Sequence, residues 1–455
     1  MGVSACGDGP AEAAAANGEA QAALARGDLE GARRALVRAV QARDDNAGYW
    51  TALGAVQLQL RAYPDAYYAY SRALELDRTN VQALRILAQI ALLSDRVNEA
   101  EELADQLEIL DADGAGADLV QGYVELKRGR PSEALKKAEE ILKAAPSDEG
   151  GAILKALALE NAGDSPSAIA SLEAFLRGSP RSEPALQALL RIHKRRLDSG
   201  RVVDVLARLS ELSPDNRSIA LQHAQAAYWT GRLEEGRRAS VSLVTTDAPP
   251  NMLVQVLKLW LTHETRQVAL ANAESVRTDT PSRRLSLARF LVEAGVPARA
   301  ERLLRPDARL PVDGATATPV AVLAHALAAQ GRRGEASALF DEVLAFDRNN
   351  LAALRGRADL HLSSGRHDAA LIDVQSLVAE NPQSPEDRMR LVRVYDAKGD
   401  RAMADRAIRR AFDDIPGSRV LYGALRKRLR RTAGEDELAR LDERFTRQRR
   451  DAARE

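Results

Sequence analysis

Residues 47–80 read AGYWTALGAVQLQLRAYPDAYYAYSRALELDRTN, and the spacing of large and small residues along them decides the fold. Counted from Ala47, Trp50, Leu53, Gly54 and Gln57 stand at places 4, 7, 8 and 11, a rhythm that puts them on one face of a helix. Ala66, Tyr70 and Ala73 continue the rhythm at places 20, 24 and 27, on one face of a second helix. The two helices can close on each other, with Gly54 and Ala66 where the axes approach and Trp50 and Tyr70 filling the outer gaps. Pro64 falls at the start of the second helix, where its missing N–H costs nothing.

The unit recurs. Arg78, Ala112, Pro146, Pro180, Pro214 and Ala248 lie 34 residues apart, and Arg348, Pro382 and Pro416 resume the spacing. The same phase puts Ala100, Ala134, Ala168, Ala370 and Ala404 at place 20. It puts Gly129, Gly163, Gly231, Gly331, Gly365 and Gly399 at place 15, where glycine supplies the left-handed residue that ends a helix. In the unit 183–216, Gly200 stands three places late, which predicts a displaced turn. Ala248 and Arg348 are 100 residues apart, two short of three periods, and Pro281, Pro297, Pro306 and Pro311 put the slip at 280–316. A fixed period of this length means small supersecondary units that bury their apolar faces only by stacking.

These residues and this period resemble the tetratricopeptide repeat, and the resemblance covers nearly the whole chain. It implies an all-α fold, a right-handed superhelical solenoid of about a dozen helical hairpins. Composition agrees, with 45% apolar residues but only 4% aromatics and no strand-like alternation. The expected organisation is a tether at 1–10, an N-terminal array at 11–279, an irregular repeat and candidate hinge at 280–316, a C-terminal array at 317–418, and basic capping helices at 419–455.

Cys6 is the only cysteine of the chain and closes the tetrapeptide Val3-Ser4-Ala5-Cys6. This resembles the lipobox of bacterial lipoproteins, where small residues flank the cut before a lipidated thiol. No basic and apolar stretch precedes it between Met1 and Ala5, so two readings stand. In one, a lipid on Cys6 holds the protein on the periplasmic face of a membrane in the cell envelope, where it serves assembly or export of surface protein or exopolysaccharide. In the other, the cysteine is incidental and the protein is a cytoplasmic adaptor. No run of eighteen apolar residues is long enough to span a bilayer.

Catalytic patterns are missing. His193, His223, His263, His325, His361 and His367 are scattered over different repeats with no zinc spacing. The run from Asp111 to Gly116 begins like a calcium loop but has Ala115 and Gly122 where ligands belong, so it reads as a turn. The expectation is a non-enzyme without cofactor or metal. The 65 basic and 65 acidic residues balance, so no nucleic-acid partner is expected.

The resemblance implies that partners lie in the concave groove lined by the first helix of each pair, at places 2, 5, 9 and 12. The polar and aromatic residues there are Gln82, Arg85, Gln89, Tyr123, Gln187, Arg191, Lys194, Gln225, Tyr228, Gln255, Arg355 and Arg393, with Trp229 beside them. A basic, amide-rich groove suits a protein or peptide partner with acidic character, and a Tyr228–Trp229 pair would suit a stacked polysaccharide. Some members of the family clamp acidic chaperone tails with asparagines that are missing here, so that clamp is not expected.

Overall fold

In a computed structural model of the chain, the described residues are 9–110, 115–246, 249–430 and 434–451. Cys6 with its tetrapeptide, Asp111–Gly114 and Ala248 fall outside them. Among the described residues there are 26 α-helices, one short 3₁₀ turn at Ala273–Ser275, and no strand. The chain divides into two compact units, Met1–Ile219 and Ala220–Glu455.

The first unit pairs α1 (Gly9–Ala25) with α2 (Leu29–Ala42), α3 (Ala47–Gln59) with α4 (Tyr63–Leu76), and α5 (Val81–Leu93) with α6 (Val97–Leu110). It continues with α7 (Ala115–Lys127) and α8 (Pro131–Ala144), α9 (Glu149–Asn161) and α10 (Ser165–Gly178), and α11 (Glu183–Arg195) and α12 (Ser199–Leu212). The unit boundary lies inside α13 (Arg217–Trp229). The second unit then runs through α14 (Leu233–Thr245), α15 (Pro250–His263), α16 (Arg266–Asn272), α17 (Pro281–Glu293), α18 (Pro297–Leu304), α19 (Ala317–Ala329) and α20 (Arg333–Phe346). It ends with α21 (Leu351–Ser363), α22 (His367–Glu380), α23 (Pro385–Ala397), α24 (Arg401–Asp414), α25 (Arg419–Leu429) and α26 (Glu435–Asp451). This is the expected all-α array of stacked hairpins.

The period is fixed by caps as well as by packing. Asn46, Asn80, Asp148, Ser182, Asn216, Asn350, Ser384 and Ser418 each accept a hydrogen bond from a backbone N–H in the first turn of the helix that follows. Each such cap stabilises its helix by about 1 kcal/mol. At the turn inside each hairpin, Gly129, Gly163, Gly231, Gly331, Gly365 and Gly399 all have positive φ. The expected displacement at Gly200 does not occur: Leu197 takes the left-handed place with φ 59, Asp198 caps α12, and Gly200 lies inside that helix. Packing is tight where small residues were expected, since a Cβ on Gly54 would lie 2.7 Å from the ring of Tyr70.

The irregularity spreads over two hairpins. α16 and α18 stop after 7 and 8 residues, where α10 runs 14. Arg283, only 2% exposed, satisfies backbone carbonyls at the end of α14 and just after the 3₁₀ turn. Its guanidinium donates to Val244 O (2.8 Å), Thr246 O (3.0 Å) and Arg277 O (3.1 Å). One buried cluster runs from Ala220 through Trp260, Phe290 and Leu304 to Ala326. The stretch 280–316, read from the sequence as a hinge, therefore contributes to a continuous core.

Candidate functional site

The first helices of successive hairpins lie side by side, α5 against α7, α7 against α9 and α9 against α11. Their ninth residues are Gln89, Tyr123, Leu157 and Arg191, one from each helix. With residues a turn away they line a groove of about 720 Å³. Its floor is apolar: Leu92, Leu119, Tyr123, Leu126, Ile153 and Leu157. Its rim is polar, with Gln89, Lys127, Glu160, Asn161, Arg191 and Arg195. Burial in the groove pushes the Tyr123 phenol up, and the neighbouring Arg191 charge pulls it back in part.

Glu160 is the chemically distinctive member. Its side chain is 6% exposed and pairs at 3.4 Å with Arg195, while its Oε2 has no hydrogen-bond partner. A buried carboxylate oxygen without a donor is costly, and an incoming N–H or O–H would relieve that cost. Lys127 is held at 2.9 Å by Asp95.

Of the groove residues chosen from the sequence in this unit, Gln89, Tyr123 and Arg191 line the cavity, while Gln82, Arg85, Gln187 and Lys194 do not. Leu119, Ile153, Leu157 and Leu126 occupy the same places 5, 9 and 12 and escaped notice because they are apolar. The expectation of a basic, amide-rich groove is corrected here to an apolar floor under a mixed polar rim. Their spacing was the signal; counting only polar residues discarded it.

In the second unit α15, α17, α19, α21, α23 and α25 form the equivalent layer. Gln225 and Gln255 join α13 to α15 through a side-chain hydrogen bond of 3.4 Å. The Tyr228–Trp229 pair is corrected: Tyr228 is 2% exposed and Trp229 is 72% exposed, so the two rings form no common stacking surface. The Tyr228 hydroxyl donates to Glu264 at 3.0 Å, its ring stacks on His263, and burial pushes its pKa up to about 12. Arg355 is spent inside the fold, donating through Nε (2.9 Å) and Nη2 (2.6 Å) to the fully buried carboxylate of Asp387. Arg393 stays exposed, with Asp359 at 3.7 Å.

No group of three metal-ligating side chains occurs among the described residues, and no described helix is long and apolar enough to cross a membrane. No curated protein sequence matches this chain. Among solved structures, a MamA protein is similar at 20% identity over 38% of this chain and 94% of its own, with a TM-score of 0.34. A tetratricopeptide repeat protein from Parabacteroides merdae is similar at 14% identity over 55% of this chain and 98% of its own, with a TM-score of 0.40. A thermophilic repeat protein of Thermus thermophilus is similar at 20% identity over 40% and 98%, with a TM-score of 0.37. Residues 17–81, 87–149, 119–183 and 322–385 match the model of the tetratricopeptide repeat. With its capped hairpins in register with that period, the chain belongs to the tetratricopeptide repeat family.

Proposed function

We propose that this chain is a non-catalytic scaffold that holds a partner protein through an extended peptide seated in the groove of α5, α7, α9 and α11. The observation that carries this reading is the apolar floor of Leu119, Tyr123, Ile153 and Leu157 beside the unpartnered oxygen of Glu160. An apolar side chain of the peptide covers the floor, a backbone N–H reaches Glu160, and the amides of Gln89 and Asn161 take further main-chain groups. Burying one such side chain contributes about 1.5–3 kcal/mol, enough to anchor a short segment when hydrogen bonds accompany it.

The test is selection of a random peptide library on the full chain, followed by affinity measurement of the winners on wild type and Leu157→Asp. Charge in the floor should weaken the selected peptides by roughly a hundredfold, since an apolar contact is replaced by a desolvated carboxylate. Equal affinity for both proteins would remove the groove from the reading.

The second reading concerns where the scaffold works. The lipobox-like Val3-Ser4-Ala5-Cys6 and the Ala/Gly-rich tether after it support attachment to an envelope membrane through a lipid on Cys6. Radiolabelled palmitate, followed in a bacterial host expressing the gene with its upstream codons, should label wild type and not Cys6→Ser; absence of label from both leaves the cytoplasmic adaptor.

A further inference from the structure

Place 11 of the first helix holds an unusual set of side chains. Gln57 in α3, Glu125 in α7, His193 in α11 and His361 in α21 all stand there, and each buries a polar atom that forms no hydrogen bond. In α9 the same place is filled by Leu159, so a hairpin closes without a polar group at this point. A buried polar atom left unserved costs free energy. Of the residue types found here, histidine is the one whose charge changes between pH about 5 and 8.

His193 is the more enclosed of the two histidines, at 3% exposure. Its Nδ1 approaches Asp198 Oδ2 at 3.5 Å without forming a hydrogen bond. Asp198 is the N-cap of α12, and the bond it accepts from the Arg201 N–H is 3.5 Å long. The matching caps Asp28, Asp164 and Asp400 accept at 2.8, 3.1 and 3.0 Å. Between ring and cap lies Leu197, whose φ of 59 is a conformation that strains a residue with a side chain. The charged groups facing the ring are Glu173 from α10, Arg196 and Asp198 from the turn, and Arg201 from α12. From α9, Glu160 is held by Arg195 on the groove side.

A proton on His193 has two outcomes, and both loosen the hairpin. If the ring keeps its place, a cation sits in a site closed to water, with Arg196 and Arg201 nearby and a 43% exposed carboxylate as its counter-charge. If the ring draws Asp198 to itself, α12 loses the carboxylate that caps its first turn. Burial pushes the imidazole below its ordinary 6.5; Asp198 and Glu173 pull it part of the way back, while Arg201 and Arg196 act with burial. With the folded value below the unfolded one, stability is complete above pH about 6.5. It falls once the opened chain takes up the proton there, and stops falling only below the folded value.

We propose that His193 is a proton-operated switch: acid loosens the α11–α12 hairpin around Leu197 and Asp198. The loosened element is the one that gives Arg191, Ile192 and Arg195 to the groove of the first unit, so one wall of that groove softens in mildly acidic surroundings. The switch rests on the enclosed imidazole and the carboxylate beside it, and it stands whether or not a peptide fills the groove.

Amide hydrogen exchange of the full chain, followed by mass spectrometry at pH about 7.5 and 5.5 and corrected for the intrinsic pH dependence of exchange, reads the opening of each hairpin separately. In wild type, protection of α11 and α12 should fall by roughly three- to tenfold on acidification. His193→Gln and His193→Leu carry the residues found at this place in α3 and α9. In both the fall should vanish, whatever either substitution does to protection at neutral pH. His361→Gln, at the same place in the second unit, should leave it intact. The proposal is overturned by any of four results: no fall in wild type, an equal fall in wild type and both His193 variants, protection that rises in acid, or loss of the response in His361→Gln.

Discussion

Set side by side, the ninth-place rows of the two units are Gln89, Tyr123, Leu157 and Arg191 in the first, and Arg289, His325, Asp359, Arg393 and Lys427 in the second. Both rows stand on equivalent helices, and both are flanked by the same alternation of caps and left-handed turns. Yet one row lines an apolar groove, and the other is built mostly of charged side chains. Packing between hairpins uses places such as 8, 20 and 27, while the duty of place 9 varies, from His325 packed on Phe340 and bonded to Ala352 O to the exposed Arg393. The repeat thus fixes where a groove residue stands without fixing what it is.

The second unit pays for its charges with buried pairs. Asp387, at 0% exposure, accepts from Arg355 and, at 3.0 Å, from Arg390. In Asp387→Ala two guanidiniums would face each other without a counter-charge, and the expected loss is about 3–5 kcal/mol. The parallel change in the other row, Leu157→Ala, removes a half-buried apolar side chain and should cost about 1–2 kcal/mol. Thermal unfolding followed by circular dichroism compares them; a smaller loss for Asp387→Ala than for Leu157→Ala would break the contrast.

Acid sharpens it further. Burial alone would raise the Asp387 carboxyl, but Arg355, Ser384 and Arg390 outweigh burial and hold it below its ordinary 3.8. A folded pKa below the unfolded one means that the stabilisation is complete above pH about 4 and is lost as pH falls through the folded value. The stability difference between wild type and Asp387→Ala should therefore be constant from neutral pH to about 4 and shrink below it. A difference that stays constant to pH about 2 would show that this carboxyl does not hold the unit together.

The smallest effect belongs to a turn. Leu197 is exposed and, like Arg61 and Asp95, carries the left-handed conformation that glycine takes in hairpins of both units such as those of Gly163 and Gly365. Leu197→Gly should relieve about 1 kcal/mol of strain, partly offset by the freedom glycine adds to the unfolded chain. A net gain of a few tenths of a kcal/mol in denaturant unfolding is the expected reading, and a clear loss would show that the leucine side chain packs against something.

The hairpins were legible because their determinants are local. Gly54 under Tyr70 and the turn glycines such as Gly163 act within a single period. The caps at Asn80, Ser182 and Ser418 sit at an equally regular place, and only the proline positions beside them drew attention. Leu197 shows how a non-glycine residue hides a turn: a left-handed backbone leaves no trace in the residue type. The groove was less legible, because Leu119, Ile153 and Leu157 look like core leucines and isoleucines in a helix.

By itself the sequence determined the period, the helix faces, most of the turns and the absence of strands among the described residues, all set by spacing over three to thirty-four residues. Tertiary structure alone decided which side chains stay exposed: it buried Tyr228 and exposed Trp229, matched Arg355 to Asp387 across 32 residues, and put Arg283 on the carbonyls at the end of α14. The physical reason is that desolvation and ion pairing depend on what the neighbouring repeat presents, and a residue's own period carries no record of that.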